Sequence, residues 1–240
     1  TGLPKGVVLT FRALQTRFAL NAERIGVSQL HTTLCPLPTH FGHGLIGNCL
    51  TPLFAGGQVV LAPNPTINHL SEFGMIIDQH RVNFLSSVPA FWNLVTELSS
   101  EPKGGSLKRV HIGSAPLSEK SWREVIRWAG VLEVSNMYGL TETANWVAGA
   151  SATHYQPKDG LVGRLWGGEC RVLTNDRGLD SHGEGEIFLK VPSVMMGYLK
   201  QQDLTQAVIK DGWLKTGDSG SIDESGTLTL KGRLKFEINR

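Results

Sequence analysis

The chain has 240 residues, a formal net charge of +2, 40% apolar and 18% charged residues. That balance fits a soluble globular protein long enough for a hydrophobic core, and it excludes a disordered tail. No run of Lys or Arg argues for nucleic acid or an anionic membrane surface, and no apolar stretch reaches the roughly 18 residues that span a bilayer. No signal-peptide pattern is read at the start. The three cysteines, Cys35, Cys49 and Cys170, have no C-x-x-C spacing. They predict a reducing, cytoplasmic setting and no structural zinc. Glycine and proline (28 and 11 residues) point to many turns. The chain opens on Thr1-Gly2-Leu3-Pro4-Lys5-Gly6 without Met and stops at Phe236-Glu237-Ile238-Asn239-Arg240 in mid-pattern, so an internal piece of a longer protein is expected.

In chain order, Gly6–Leu9 reads as a short strand, and Thr10 caps a helix over Phe11–Ile25. Leu34–Leu37 is extended because of the proline within it. Gly44–Phe54 reads as a buried helix and Gln58–Leu61 as a core strand. Leu70–His80 is helix, Asn83–Leu85 strand and Ala90–Leu98 helix. Arg109–Ile112 is strand, Ser118–Ala129 helix and Val131–Val134 strand. Strands alternating with helices predict crossover units and a largely parallel sheet. After about residue 155, short strands follow at Val162, Val172, Glu186–Leu189, Trp213–Lys215 and Thr227–Leu230, separated by Gly and Asp turns. The expected fold class is α/β. A partial doubly wound, mostly parallel sheet with helices spans residues 1–157, a small β-barrel subdomain spans 158–231, and a hinge stub spans 232–240.

Five strings carry chemistry. Thr1, Gly2, Lys5 and Gly6 offer backbone N–H groups, a hydroxyl and a point charge suited to phosphate, although the string is not a Walker A loop and reads also as a surface turn. Asn136-Met137-Tyr138-Gly139-Leu140-Thr141-Glu142-Thr143 follows an apolar strand, where ligands sit in open α/β sheets. Its Tyr can stack on a purine, its Thr can donate to a phosphate, and its Glu can hold Mg2+. The alternative is a strand-to-helix turn capped by Thr141 or Thr143. Gly113-Ser114-Ala115-Pro116 leaves room for a flat base or is a simple turn. Lys215-Thr216-Gly217-Asp218 offers a carboxylate to ribose hydroxyls or is an Asp in a β-turn. Gly232-Arg233-Leu234-Lys235 closes the series. No G-x-G-x-x-G follows a strand, which disfavours a dinucleotide dehydrogenase.

Taken together and in this order, the strings resemble the adenylate-forming superfamily of acyl-CoA synthetases, peptide-synthetase adenylation domains and firefly luciferase. T-G-L-P-K-G-V matches the second half of its phosphate loop and Y-G-L-T-E-T its most distinctive string. G-S-A-P-L, G-E-I-F-L-K with M-G-Y, W-L-K-T-G-D and G-R-L-K follow, and the resemblance covers nearly the whole chain.

The resemblance implies a carboxylate that attacks the α-phosphorus of ATP, release of pyrophosphate, and transfer of the acyl group to a thiol, that of CoA or of a carrier-protein phosphopantetheine. It places Thr1, Gly2 and Lys5 over the β- and γ-phosphates, Lys5 among the catalytic groups. Ser114, Ala115 and Pro116 fall on the adenine with Tyr138 stacked on it, Asn136 at its edge, and Met137 and Gly139 in the same nucleotide site. Thr141 falls on the α-phosphate, Glu142 on Mg2+, Asp218 and Arg233 on the ribose, and Lys235 at the hinge to a further domain. His40 matches the histidine beside the substrate carboxylate, or else is a hydrogen-bonded loop histidine. Gly113, Gly139 and Ala144 border the acyl group. The segment Ala144–Ala150 can face an acyl chain, and Trp146 reads equally as core. The other histidines (His31, His43, His69, His80, His111, His154, His182) read as structural or surface.

No Asp lies between Asn21 and Pro63 to hold a substrate ammonium, which favours a plain carboxylic acid over an amino acid. The family's first phosphate-loop residues, the first half of its large domain and its C-terminal domain with the adenylation lysine are not in the sequence, which predicts weak turnover by the piece alone and open sheet edges. Two alternatives stay open: an adenylation domain loading a carrier protein, and a non-catalytic nucleotide-binding module.

Overall fold

The structure, a computed structural model, describes residues 5–62, 67–174 and 178–234. Thr1, Gly2 and Lys235 lie outside the described residues. Strand β1 (Val7–Val8) leads to helix α1 (Phe11–Ile25). Thr10 starts α1 with extended backbone, its hydroxyl accepting the Ala13 amide at 3.1 Å, and Gly26 at φ +93° ends it. Ala13, Arg17, Phe18, Asn21, Ala22 and Ile25 recur every three or four positions and form its buried face. Strand β2 (Thr32–Cys35) follows, then a π-helix over His43–Leu50 that runs into α2 (Thr51–Phe54).

The expected buried helix at 44–54 is therefore wound more widely than an α-helix. The Thr51 amide reaches back five residues to the Ile46 carbonyl, and Pro52 has no amide to continue an α ladder. Strand β3 (Gln58–Leu61), expected in the core, lies at the sheet edge with Leu61 62% exposed. The single helix expected at 70–80 is two, α3 (Ile67–Ser71) and α4 (Phe73–Gln79). The bare Cα of Gly74 sits where a Cβ would come within 2.2 Å of the Ser100 carbonyl oxygen. Then come β4 (Phe84–Ser87), α5 (Pro89–Leu98), β5 (Arg109–Gly113) and α6 (Glu119–Ala129). Ser118 caps α6 by accepting the Ser121 amide, and Gly130 closes it in the left-handed region.

The next strand differs most from expectation. It is β6 (Val134–Leu140), so the string Asn136–Leu140 is itself strand and not the turn after one. A short 3-10 turn at Thr141–Thr143 joins it to the antiparallel strand β7 (Asn145–Ser151). Polar residues are tolerated in β6 because it runs between β5 and β7, and both ladders satisfy its backbone. Antiparallel strands follow: β8 (Leu161–Leu165), β9 (Glu169–Thr174), β10 (Gly178–Asp180), β11 (Gly183–Lys190) and β12 (Gly197–Tyr198). After helix α7 (Gln202–Val208) come β13 (Ile209–Lys210), β14 (Trp213–Ile222) and β15 (Leu228–Arg233).

The parallel part has the order β3-β2-β4-β5-β6. It continues without a break through β7 and β8 into the antiparallel order β15-β14-β11-β9-β10. Among the described residues these antiparallel strands leave β10 at an edge, so the second half is an open continuation of the first sheet. The main core lies between the parallel strands and α4, α5 and α6. There Trp92, Trp122 and Trp128 pack against Phe73, Val110 and Val134. A second core of Tyr138, Val147, Val172, Ile187 and Leu228 joins the two halves.

Candidate active site

The C-terminal ends of β6 and β15 and the middle of β14 meet at one place. Tyr138, the fifth residue of β6, is buried and donates its phenol to Asp218 Oδ2 at 2.5 Å. Gly217, at φ +74°, turns the backbone so that Thr216 and Asp218 both face Arg233. The Arg233 Nε lies 2.9 Å from Asp218 Oδ1, and Nη1 donates to the Thr216 carbonyl at 3.0 Å. Thr216 donates its hydroxyl to the Ile187 carbonyl and accepts the Asp218 amide, which fixes the loop to β11. Burial raises the pKa of Asp218 despite the opposing pull of the Tyr138 hydrogen bond and of Arg233, whose side chain is 53% exposed. Burial and the Asp218 charge push the Tyr138 phenol well above its ordinary value, so it stays a donor.

The turn after β6 carries Glu142. Its carboxylate Oε1 accepts the Tyr198 phenol at 2.7 Å, and its carbonyl accepts the Met195 amide at 2.7 Å. Lys5 places its ammonium 5.3 Å from the centre of the Tyr198 ring. Lys5, Glu142, Glu186, Tyr198, Lys215 and Arg233 line one cavity of about 520 Å3 whose remaining wall, apart from Thr216 and Gly217, is apolar. Lys215 and Glu186 pair across it at 3.3 Å. Three cations and two carboxylates around one cavity suit a ligand that is anionic and also carries hydroxyls. Glu142 is a single hard carboxylate donor. Such a donor fits Mg2+, which keeps several waters and completes its octahedron with phosphate oxygens. Among the described residues no three His, Cys, Asp or Glu side chains converge as an all-protein metal cage.

A second polar group adjoins the first. The β5 strand ends in Gly113-Ser114-Ala115-Pro116. Gly113 and Met137 face each other across β5 and β6, and Ser114 stands at φ +68°. Ser114, Ala115 and Pro116 are exposed, as residues that face a bound ring would be. The buried His43, in the π-helix, touches Ser114 Oγ through Nδ1 at 2.9 Å and Ser86 Oγ through Nε2 at 2.6 Å. Its ring meets Trp146 edge-on at 5.4 Å.

Of the sequence-selected residues, the structure gathers Lys5, Glu142, Asp218 and Arg233 around one site, with Tyr138 behind Asp218. Thr141 is exposed beside Glu142. Gly139 lies where a Cβ would be 2.3 Å from the Asn145 carbonyl, and Ala144 is fully buried at φ +59°. Asn136 and Met137 are buried, with the Asn136 amide donated to the Leu161 carbonyl at 2.8 Å. His40 is exposed on a turn and does not line the cavity that Lys5 and Glu142 share. Sequence reasoning missed Tyr198, Glu186 and the bridging position of His43. The M-G-Y string was the one available signal for Tyr198.

Burial lowers the His43 pKa from 6.5 to about 4. The folded state therefore resists a proton that the unfolded chain takes up, so this contribution is intact above pH 6.5 and is lost as pH falls toward 4. At pH 5 the expected loss is about 2 kcal/mol relative to pH 7. His43→Gln should shrink the pH 7 to pH 5 drop in urea midpoint by that amount; an equal drop in both proteins would show that His43 does not resist protonation.

With this geometry in view, comparison with known proteins identifies the class. The family model for AMP-binding enzyme matches residues 1–199, and the chain belongs to that family. Among relatives, the sulfoacetate–CoA ligase of Cupriavidus necator is 33% identical over 98% of this chain and 46% of its own length. The 2-succinylbenzoate–CoA ligase of Bacillus cytotoxicus is 30% identical over 97% and 48%. Among solved structures, the O-succinylbenzoate coenzyme A synthetase of Bacillus subtilis in complex with ATP and magnesium ion superposes with a TM-score of 0.85, at 27% identity over 98% of this chain and 48% of that one. The chain thus spans about half the length of the curated relatives it matches.

Proposed function

We propose that the chain is the nucleotide-binding core of an enzyme that activates a carboxylic acid with ATP and passes the acyl group to a thiol. The observation that carries this reading is the convergence of Lys5, Glu142 and Arg233 on one cavity at the end of β6, with Asp218 held against Arg233 and Tyr138 beside it. An in-line displacement between two anions needs positioning and charge neutralisation. In this reading the phosphates lie toward Lys5 and Thr141, and Mg2+ on Glu142 offsets their charge. The ribose hydroxyls meet Asp218 and Arg233. The base lies along Ser114, Ala115 and Pro116 with Tyr138 beneath, Asn136, Met137 and Gly139 forming the strand that carries it.

The acid lies on the far side of the Gly113 turn, near Gly139 and Ala144. His43 faces that turn, since it touches Ser114, and His40 precedes it by three residues. The relatives named as CoA ligases support CoA over a carrier protein as acceptor. We further assign 1–157 and 158–231, the latter an open antiparallel continuation of the sheet, to the two parts of the nucleotide site and 232–240, with Lys235, to a hinge. No helix among the described residues is long and apolar enough to cross a membrane.

Asp218→Ala tests the ribose assignment. ATP affinity of the full-length protein, measured by calorimetry, should fall about tenfold or more, because the lost carboxylate accepts from two hydroxyls. AMP should weaken by the same factor and inorganic pyrophosphate not at all. Unchanged ATP affinity would remove Asp218 from the site.

A further inference from the structure

Tyr198 stands at a junction that the reading above does not use. Its phenol donates to Glu142 at 2.7 Å. Its ring lies under the Lys5 ammonium. Its strand, β12, pairs antiparallel with β1, Val7 facing Tyr198 and Val8 facing Gly197. The Leu199 amide donates to the Gly6 carbonyl at 2.7 Å and the Met196 amide to the Val8 carbonyl at 2.8 Å, which extends the ladder to both sides. The Met195 amide holds the Glu142 carbonyl. Thus the segment 195–199 grips the chain that follows Lys5 and the turn that carries Glu142 at once.

Glu142 needs such support. It sits in a three-residue 3-10 turn and is only half buried, so little packing fixes its side-chain torsions. A carboxylate has two oxygens and about four acceptor positions. The Tyr198 hydrogen bond occupies one oxygen and orients the other. A cation-binding carboxylate held in this way is pre-organised, and its partner tunes affinity without touching the cation.

We propose that Tyr198 is a positioning residue that fixes Glu142 as a one-oxygen ligand for the Mg2+ accompanying ATP and sets the Lys5 segment against the same point. The inference rests on the assignment of Glu142 to Mg2+. Because Lys5 and Glu142 share one holder, the phosphate charge and the cation are registered to each other. Tyr198→Phe keeps the ring beneath Lys5 and removes one oxygen atom. Glu142 would then accept water in place of the phenol and sample more orientations.

The test is ATP binding to the full-length protein by calorimetry, with and without Mg2+. In the unaltered protein Mg2+ should strengthen ATP binding. In Tyr198→Phe that enhancement, read as the ratio of ATP affinity with Mg2+ to ATP affinity in EDTA, should fall about tenfold. Thr205→Val is the structural control. It removes the hydroxyl that accepts the Tyr198 amide at 2.8 Å, loosening the same strand while leaving the phenol in place. It should keep the Mg2+ enhancement even if its melting temperature falls. Equal loss in Thr205→Val and Tyr198→Phe would show that packing, and not the phenol, sets the metal site, and would overturn the proposal. So would a Tyr198→Phe enhancement equal to that of the unaltered protein when Glu142→Gln abolishes it. If Glu142→Gln also keeps the enhancement, the assignment of Glu142 itself fails, which separates the two failures.

Discussion

Glu142→Gln is expected to lower acid-dependent ATP–pyrophosphate exchange by the full-length protein about a hundredfold, with its melting temperature unchanged. Glutamine keeps the shape of the side chain, and its carbonyl can still accept the Tyr198 phenol that Glu142 Oε1 accepts now. The variant loses the negative charge. A neutral amide oxygen is a poor substitute for a carboxylate on Mg2+, and the phosphates would enter the cavity with less of their charge offset. Because Glu142 is half buried in a short surface turn, the substitution leaves no empty space in the core. A rate within threefold of the unaltered protein would take Glu142 out of the mechanism. A large fall in melting temperature would mean that the turn, and not the cation, depends on the charge.

Trp122→Ala is expected to destabilise the chain by about 3–5 kcal/mol, read as a shift in the urea midpoint. Trp122 is fully buried on the inner face of α6, with Val125 and Trp128 about one and two turns further along the same stripe. Its indole Nε1 donates to the Val134 carbonyl at 2.9 Å. The substitution removes a large apolar volume from a close-packed layer and strips one hydrogen bond from the first residue of β6. Val134 keeps the Ala152 amide on the same carbonyl, so the larger part of the cost is the cavity. Tyr138 lies four residues further along the strand, so loosening this end of β6 should also weaken ATP binding. Trp122→Phe, which refills most of the space, should recover more than half of the loss. A midpoint shift worth less than about 1 kcal/mol would show that α6 does not hold the sheet.

The parts of the fold legible in the sequence are those with local punctuation. Helices α1 and α6 are announced by Thr10 and Ser118 at one end and Gly26 and Gly130 at the other, and the observed ends agree with the expected ones. The π-helix was not legible, because a wider winding leaves the apolar pattern of His43–Leu50 almost unchanged; it follows from contacts that Gly44 and Gly47 allow. A Cβ on Gly47 would come within 2.7 Å of the Trp146 ring. Strand β6 was hidden for a different reason. A strand flanked on both sides needs no alternation of apolar and polar residues, and the ladders on either edge let Ser135 and Asn136 sit inside. Gly139 lets β7 approach closely, so the chain returns as a strand and the alternative of a helix capped by Thr141 or Thr143 is not what forms. Helix α7 carries no cap and no buried residue, and its sequence resembles a polar loop.

The same distinction applies to the site. Asp218, Arg233, Lys5 and Glu142 belong to strings that stand out one by one, and the register of β14 against β15, with Asp218 opposite Arg233, brings two of them together. Tyr198 and Glu142 are 56 residues apart, and nothing in their spacing says that they touch. Their contact depends on β12 pairing with β1, a two-residue ladder that only the folded chain displays. The family resemblance singles out His40 and leaves His43 among the structural or surface histidines. The structure separates them: His40 is exposed on the turn, and His43 is inside, bridging Ser86 and Ser114.

Exchange of labelled pyrophosphate into ATP by the full-length protein, with fatty, aryl and amino acids offered in turn, tests the central claim most directly. Exchange that requires a plain carboxylic acid and Mg2+ is the predicted result, since the cavity gathers charge for phosphates and no Asp between Asn21 and Pro63 is available to hold a substrate ammonium. ATP binding without exchange for any acid, or exchange driven by an amino acid alone, would contradict it.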